Sequence, residues 1–245
     1  MSTPNVTRAT KEAIAEIRRK LEPYGMVEGA FDAFRAGYMP EKGPEWYSAT
    51  VFNGLSPSEL DKLESRLPFP VPEQAKASIP KPLREFLSVT NGLHCHNLSI
   101  HGDQGRIDHG AGMPFDLGVP QLVKPPNIPK LWFCFGSMNG PSFSQGTLFF
   151  TNEKEIALVH RDTGDIGARW SGLAEFLQTE IPRLLSIHDP KGDVLPGANK
   201  LPGNTQSWEE KAELAKLMAA GWRGYLPRVI RWLKTWPLGT RGGRS

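Results

Sequence analysis

Apolar residues recur at helical spacing in residues 7–21, where Ala13, Ile14, Ile17 and Leu21 fall on one face. Arg18, Arg19 and Lys20 crowd the end of that helix, where cations suit its dipole. Residues 22–54 lose the periodicity but keep aromatics (Phe31, Phe34, Tyr38, Trp46, Tyr47, Phe52) among many Gly and Pro, the pattern of a segment packed onto a body. A second helix is well marked. Ser56 caps it, Pro57 opens it, Glu59 completes a capping box, Leu60, Leu63 and Leu67 form its stripe, and Pro68 and Pro70 stop it. Residues 82–90 form a third, with Leu83, Phe86 and Leu87 on one side and Asn91-Gly92 at its end.

Beyond it the period shortens. Residues 93–101 alternate weakly and predict one strand, and residues 108–130 hold so many Gly and Pro that they predict a long connecting loop. Residues 132–177 then read as a meander. Runs at 132–135, 147–151, 155–160 and 165–170 are separated by turn residues, and a helix follows from Ser171 with Leu173, Phe176, Leu177, Leu184 and Leu185 on its apolar face. Pro182 is expected to kink or split that helix. Residues 188–206 read as a linker. Ser207 with Glu210 then opens a helix over 208–220 closed by Gly221, and Pro227 opens another that ends at Pro237.

The predicted class is therefore α+β: N-terminal helices, a curved antiparallel sheet built as a meander, a closing helix, and a C-terminal helical hairpin. Four segments follow: an N-terminal extension (1–55), the α+β domain (56–188), a linker (189–206), and a basic helical hairpin with a tail (207–245).

Charge sharpens the last of these. The chain of 245 residues carries a net +3, yet residues 222–245 hold six basic residues and no acidic one, so the first 221 carry a net −3. On a helical wheel Trp222, Tyr225, Leu226, Val229, Ile230, Trp232, Leu233 and Trp236 share one side, and Arg223, Arg228, Arg231 and Lys234 the other. Such a helix can cover its own domain, dock in a partner's groove, or meet nucleic acid or an anionic surface. Arg223, Arg228, Arg231, Trp232, Lys234 and Trp236 are the candidate partner-binding residues. With only Cys95 and Cys134, no disulfide framework arises, and no secretory signal or membrane-spanning run is visible. The expectation is a soluble cytoplasmic protein.

Candidate chemistry is sparse. His94 and His96 would share one face of a strand and, with His101, Asp103, Asp108 or His109, suggest zinc. No second ligand pair stands at a recognised spacing, so hydrogen-bonded strand histidines are the favoured reading and no metal or other cofactor is assigned. No Gly-x-Ser-x-Gly elbow occurs, and Cys134 lies between Phe133 and Phe135 on a strand expected to be buried. Carboxylate pairs such as Asp162 and Asp165 fall at turns, and Gly110-Ala111-Gly112 lacks a phosphate loop's setting. The chain reads as non-enzymatic.

The order of elements resembles the SUKH superfamily, which contains bacterial toxin-immunity proteins and fungal cell-wall and killer-toxin-resistance regulators. The resemblance rests on Leu60-Asp61-Lys62-Leu63-Glu64, on Ile79-Pro80 before Leu83-Arg84-Glu85-Phe86-Leu87, and on Asn91-Gly92. It continues through Phe135-Gly136, Asp162-Thr163-Gly164 and Leu173-Ala174-Glu175-Phe176-Leu177, covering residues 56–188. It implies a small α+β domain that acts by binding another protein: a toxin in a toxin–antitoxin pair, or a subunit of a regulatory scaffold. The Pro-rich insertion between its first two helices, the 108–130 loop, the N-terminal extension and the basic hairpin depart from the pattern. The alternative expectation is a component of a ribonucleoprotein or membrane-associated assembly, held through residues 222–245. A metal enzyme using His94 and His96 is the third.

Overall fold

Each strand-forming run pairs with the next one along the chain. The computed structural model describes residues 5–68, 78–108, 111–122, 124–125, 127–139, 145–152, 154–189, 191–203, 205 and 208. Nine strands lie in sequence order in one antiparallel sheet: β1 (Met26–Glu28), β2 (Phe34–Tyr38), β3 (Tyr47–Val51), β4 (Leu93–Cys95), β5 (Leu98–Ile100), β6 (Phe133–Asn139), β7 (Gln145–Phe150), β8 (Ile156–His160) and β9 (Ile166–Trp170). The helices are α1 (Val6–Leu21), α2 (Pro57–Arg66), α3 (Lys81–Val89), the short α4 (Val119–Leu122) and α5 (Leu173–Ile187). The class is α+β, as the pattern predicts. Residues up to Thr205 form one compact unit and Gln206–Ser245 a second. The predicted C-terminal hairpin and its candidate residues Arg223, Arg228, Arg231, Trp232, Lys234 and Trp236 lie outside the described residues.

Three helices, α1, α3 and α5, cover one face of the sheet. Val6, Ala9, Ala13, Ile17 and Leu21 are buried along α1, with Asn5 accepting from the Arg8 amide at its start. Helix α2 carries the predicted capping box between Ser56 and Glu59. Phe135 packs edge-on against Phe176 of α5, as does Trp170, which joins the meander to its closing helix. Pro182 neither splits nor ends α5. It sits on the exposed side of one continuous helix, where water can serve the carbonyl it leaves unpaired.

Three segments hold more structure than the pattern shows. The described residues of the N-terminal extension supply α1 and three strands of the single sheet. These strands are only three to five residues long and are set among Gly- and Pro-containing connections, which hid their alternation. Residues 93–101 are a hairpin, β4 and β5, because the chain reverses at His96, whose φ is 51°. In the segment read as a linker, Leu201 and Thr205 are buried, and Arg183 donates to the carbonyls of Asn199 and Lys200.

Candidate functional site

Alternation gives the sheet two unlike faces. Toward the helices lie Phe34, Val51, Leu93, Ile100, Leu148 and Leu158, all buried. The opposite face carries a row in register, one residue per strand from β2 to β8: Arg35, Thr50, His94, Ser99, Ser137, Thr147 and Val159. A polar row across a sheet face invites a cover or a ligand. The described residues of the chain between β5 and β6 (101–132), called the strap below, are fastened at the end of the sheet near Asn53 and Asn91 and pack against β6.

The strap is held by side chains that act as substitutes for missing strands. β6 runs on past the end of β5, so Cys134 turns its backbone groups toward empty space. Gln121 fills it, accepting from the Cys134 amide at 3.2 Å and donating to the Cys134 carbonyl and, at 3.1 Å, to the Leu117 carbonyl. Asn91 does the same at the other end: it accepts from the Asp103 amide at 2.7 Å and donates to its carbonyl at 3.1 Å. Asp108 accepts from the Asn53 amide at 2.7 Å and pairs with Arg106 at 3.2 Å, and Arg106 reaches Glu59 and the Gly54 carbonyl. Asp103 binds Arg66 at 2.7 Å. Lys124 donates to the carbonyls of Lys130 and Trp132. Buried polar groups that are fully paired rigidify what they join.

Several members of the proposed ligand cluster have other partners. His94 faces Ser99 Oγ at 3.1 Å, whereas the turn carries His96 off to stack on His188, ring centroids 4.0 Å apart. Asp103 and Asp108 are occupied as above, and His109 lies outside the described residues. Among the described residues no three His, Cys, Asp or Glu side chains gather as metal ligands. Strand geometry placed His94 and His96 on one face; the hairpin separates them.

Burial governs the titrations here. It pushes His94 down to about 4 and His101 down to about 4, Asp116 opposing weakly for the latter. His96 falls to about 3 through burial first, then the neighbouring His188, His94 and Lys42. Cys95 and Cys134 are pushed up to about 12 and remain protonated thiols at neutral pH. A histidine near 4 is a poor base for activating Ser99, and no carboxylate is hydrogen-bonded to the His94 ring among the described residues.

Much of what the described strap residues show to solvent is apolar. Among the described residues eleven large hydrophobic side chains are exposed, and six of them belong to the strap: Ile107, Met113, Phe115, Val119, Leu122 and Leu131. Phe115, Val119 and Leu122 are 60%, 61% and 66% exposed. Scattered surface apolar residues are ordinary; this concentration on a pinned segment is not. Beneath it, between Phe115, Val119, Pro120 and Pro125 on one side and the Arg161–Asp162 turn on the other, runs a groove of about 680 Å³. Its floor is Ser99, His101, Cys134, Ser137 and Thr147.

No family model, no curated protein and no solved structure matches the chain. The residues that make this face were only half visible in the sequence. The apolar side chains dispersed among prolines in residues 108–130 were a usable signal. The amide clamps were not, because an Asn or Gln in a loop looks the same whether it holds a strand end or faces water.

Proposed function

We propose that the protein is a non-enzymatic binding module whose partner is another protein, docked on the strap. One observation carries this reading: the exposed side chains of Phe115, Val119 and Leu122 sit on a segment that buried hydrogen bonds hold in place. Prior ordering lowers the entropic cost of association, and burying three such side chains supplies about 1–2 kcal/mol each. The strap's charges are largely spent internally. Arg106 is paired with Glu59 and Asp108, Lys124 with two carbonyls, and Asp116 with the amides of Gly118 and Val119. An apolar protein surface therefore suits this face better than nucleic acid or an anionic membrane.

The resemblance to the SUKH superfamily supports the same reading and narrows it to a toxin-neutralising immunity protein or a regulatory scaffold. Two buried, unpaired thiols fit a cytoplasmic setting, and no helix among the described residues is long and apolar enough to cross a membrane. The alternative, an assembly component anchored by the basic C-terminal helix, rests on the sequence of residues 222–245 alone. The test is affinity capture followed by reconstitution with the purified candidate. A stoichiometric complex lost on Val119→Ser with Leu122→Ser is expected; a complex indifferent to those changes but lost on removing residues 222–245 would favour the alternative.

A further inference from the structure

We infer that the stacked rings of His96 and His188 form an acid-sensitive latch, which holds residues 191–201 against the β4–β5 turn at neutral pH and releases them on acidification. The two imidazoles lie face to face, with centroids 4.0 Å apart and planes 6° from parallel. They come from distant parts of the chain, and neither belongs to the strap. His96 stands at the reversal between β4 and β5 with a φ of 51°, and its amide donates to the Ser48 carbonyl at 2.6 Å. His188 ends α5 and donates from Nδ1 to the Leu184 carbonyl at 2.8 Å, which places its proton on that nitrogen. After His188 the chain doubles back. The His188–Val194 bridge closes this turn, with the Leu195 amide on the Ile187 carbonyl and the Asp189 amide on the Asp193 carbonyl, each at 2.8 Å. Farther on, Asn97 donates to the Lys200 carbonyl at 3.0 Å, so His96 and its neighbour hold the segment at both ends.

Neutral rings stack, whereas two imidazolium ions at this separation repel. The elements packed round the pair leave that repulsion unrelieved. Four cationic or titratable groups act on it: Lys42 on both rings, His94 from β4 on His96, and Arg183 from α5 and Lys200 from the held segment on His188. The neighbouring carboxylates are engaged elsewhere. Asp193 pairs with Lys42 at 3.2 Å, Glu180 with Arg183 at 2.6 Å and Glu41 with Lys191 at 3.8 Å, and Asp189 accepts from the amides of Lys191 and Asp193 at 2.9 Å. Among the described residues no carboxylate is hydrogen-bonded or ion-paired to either ring. Burial first, then His188, His94 and Lys42, lowers His96 to about 3. Burial first also lowers His188, opposed by the Leu184 carbonyl and reinforced by Lys200, Arg183 and Lys42. Once released, both rings return to the ordinary value near 6.5, so the open form binds more protons below that pH. The latch is at full strength above about pH 6.5 and weakens as the pH falls. Between pH 7.5 and 5.5, each histidine that stays neutral while latched raises the opening equilibrium about tenfold, and the two together about a hundredfold.

The experiment is amide hydrogen exchange on the full chain, followed by NMR at pH 7.5 and 5.5 and corrected for the intrinsic rate. Expected at the Asp189 and Leu195 amides is an opening equilibrium about a hundredfold larger at the lower pH, with the amides of Leu148 and Leu158, paired within the sheet, little changed. His188→Phe keeps an aromatic ring in the stack but has no proton to gain, and His96→Asn keeps a residue that tolerates positive φ. Each should cut the effect to about tenfold, and the two together should abolish it. The wild-type comparison stands whether or not a variant folds. A wild-type effect below about threefold would overturn the inference. So would an equal rise at Leu148 and Leu158, which is global unfolding, or a pH effect undiminished in the double variant.

Discussion

Replacing Gln121 by leucine should unpin the strap. The side chain is 3% exposed, and its amide closes two hydrogen bonds on the backbone of Cys134, one from the N–H at 3.2 Å and one to the carbonyl. Leucine fills nearly the same space and makes neither. The Cys134 N–H and C=O are then stranded in a buried site, each at a cost of about 1–3 kcal/mol, against a gain of about 1–2 kcal/mol from the more apolar side chain. The net is a loss of about 3 kcal/mol in unfolding free energy. Urea denaturation with an unchanged slope measures it, and hydrogen exchange at the Cys134 amide reports whether the strap opens before the body unfolds. Gln121→Glu adds a sign test. The carboxylate still accepts from Cys134 but now faces the Cys134 and Leu117 carbonyls, so only its protonated form restores the donor. Its folded pKa is raised above the ordinary value near 4.3, so its deficit relative to wild type shrinks as pH falls through that raised value. A Gln121→Leu loss below about 0.5 kcal/mol, with unchanged Cys134 exchange, would refute the clamp.

Further outcomes follow from the same contacts. Gly136→Ala should destabilise by about 2 kcal/mol in thermal denaturation, because a Cβ there would lie 2.6 Å from the backbone carbonyl of Ser99. Ser56→Ala removes the capping box of α2 and should cost about 1 kcal/mol by urea titration. The buried histidines set a pH window: with His94, His101 and His96 lowered to about 4, 4 and 3, the unfolded chain binds more protons below its ordinary value near 6.5. Stability should be full above about pH 6.5 and fall toward pH 4, by up to about 1.4 kcal/mol per pH unit for each histidine still neutral, measurable as a declining urea midpoint. Val119→Ser with Leu122→Ser should leave the unfolding free energy from urea titration within about 0.5 kcal/mol of wild type, since both side chains already face water.

The sequence made the meander legible because its strands are long enough for β-propensity and its turns carry their own chemistry. Thr163-Gly164 closes β8 onto β9 with Gly164 at a φ of 76°, and the Ser56–Glu59 box marks α2 to the residue. The same reasoning missed β1, β2 and β3, three to five residues each among many Gly and Pro, and ran the three-residue β4 and β5 together. It read 93–101 as one strand because no glycine marks the reversal, although His96 takes a φ of 51° and His and Asn are among the residues that tolerate it. The candidate site was legible only as a long loop rich in Gly and Pro, of a length that often carries function. Which side chains pin it depends on where β5 stops and β6 continues, a fact of register that no local pattern contains. Asn91-Gly92 shows the limit well: the pair reads as a helix end, and Gly92 does take a φ of 93°, but the Asn91 amide spends its bonds on Asp103 across the sheet end.

The central claim, that the strap is the docking surface, is tested most directly by site-specific photo-crosslinking in cells. A benzophenone amino acid placed at Val119 or Leu122 should give one discrete heavier adduct, the same protein from both positions. Placed at Leu195, exposed but away from the strap, it should give none. Absence of an adduct at both strap positions, or the same ladder of products from all three, would contradict the account.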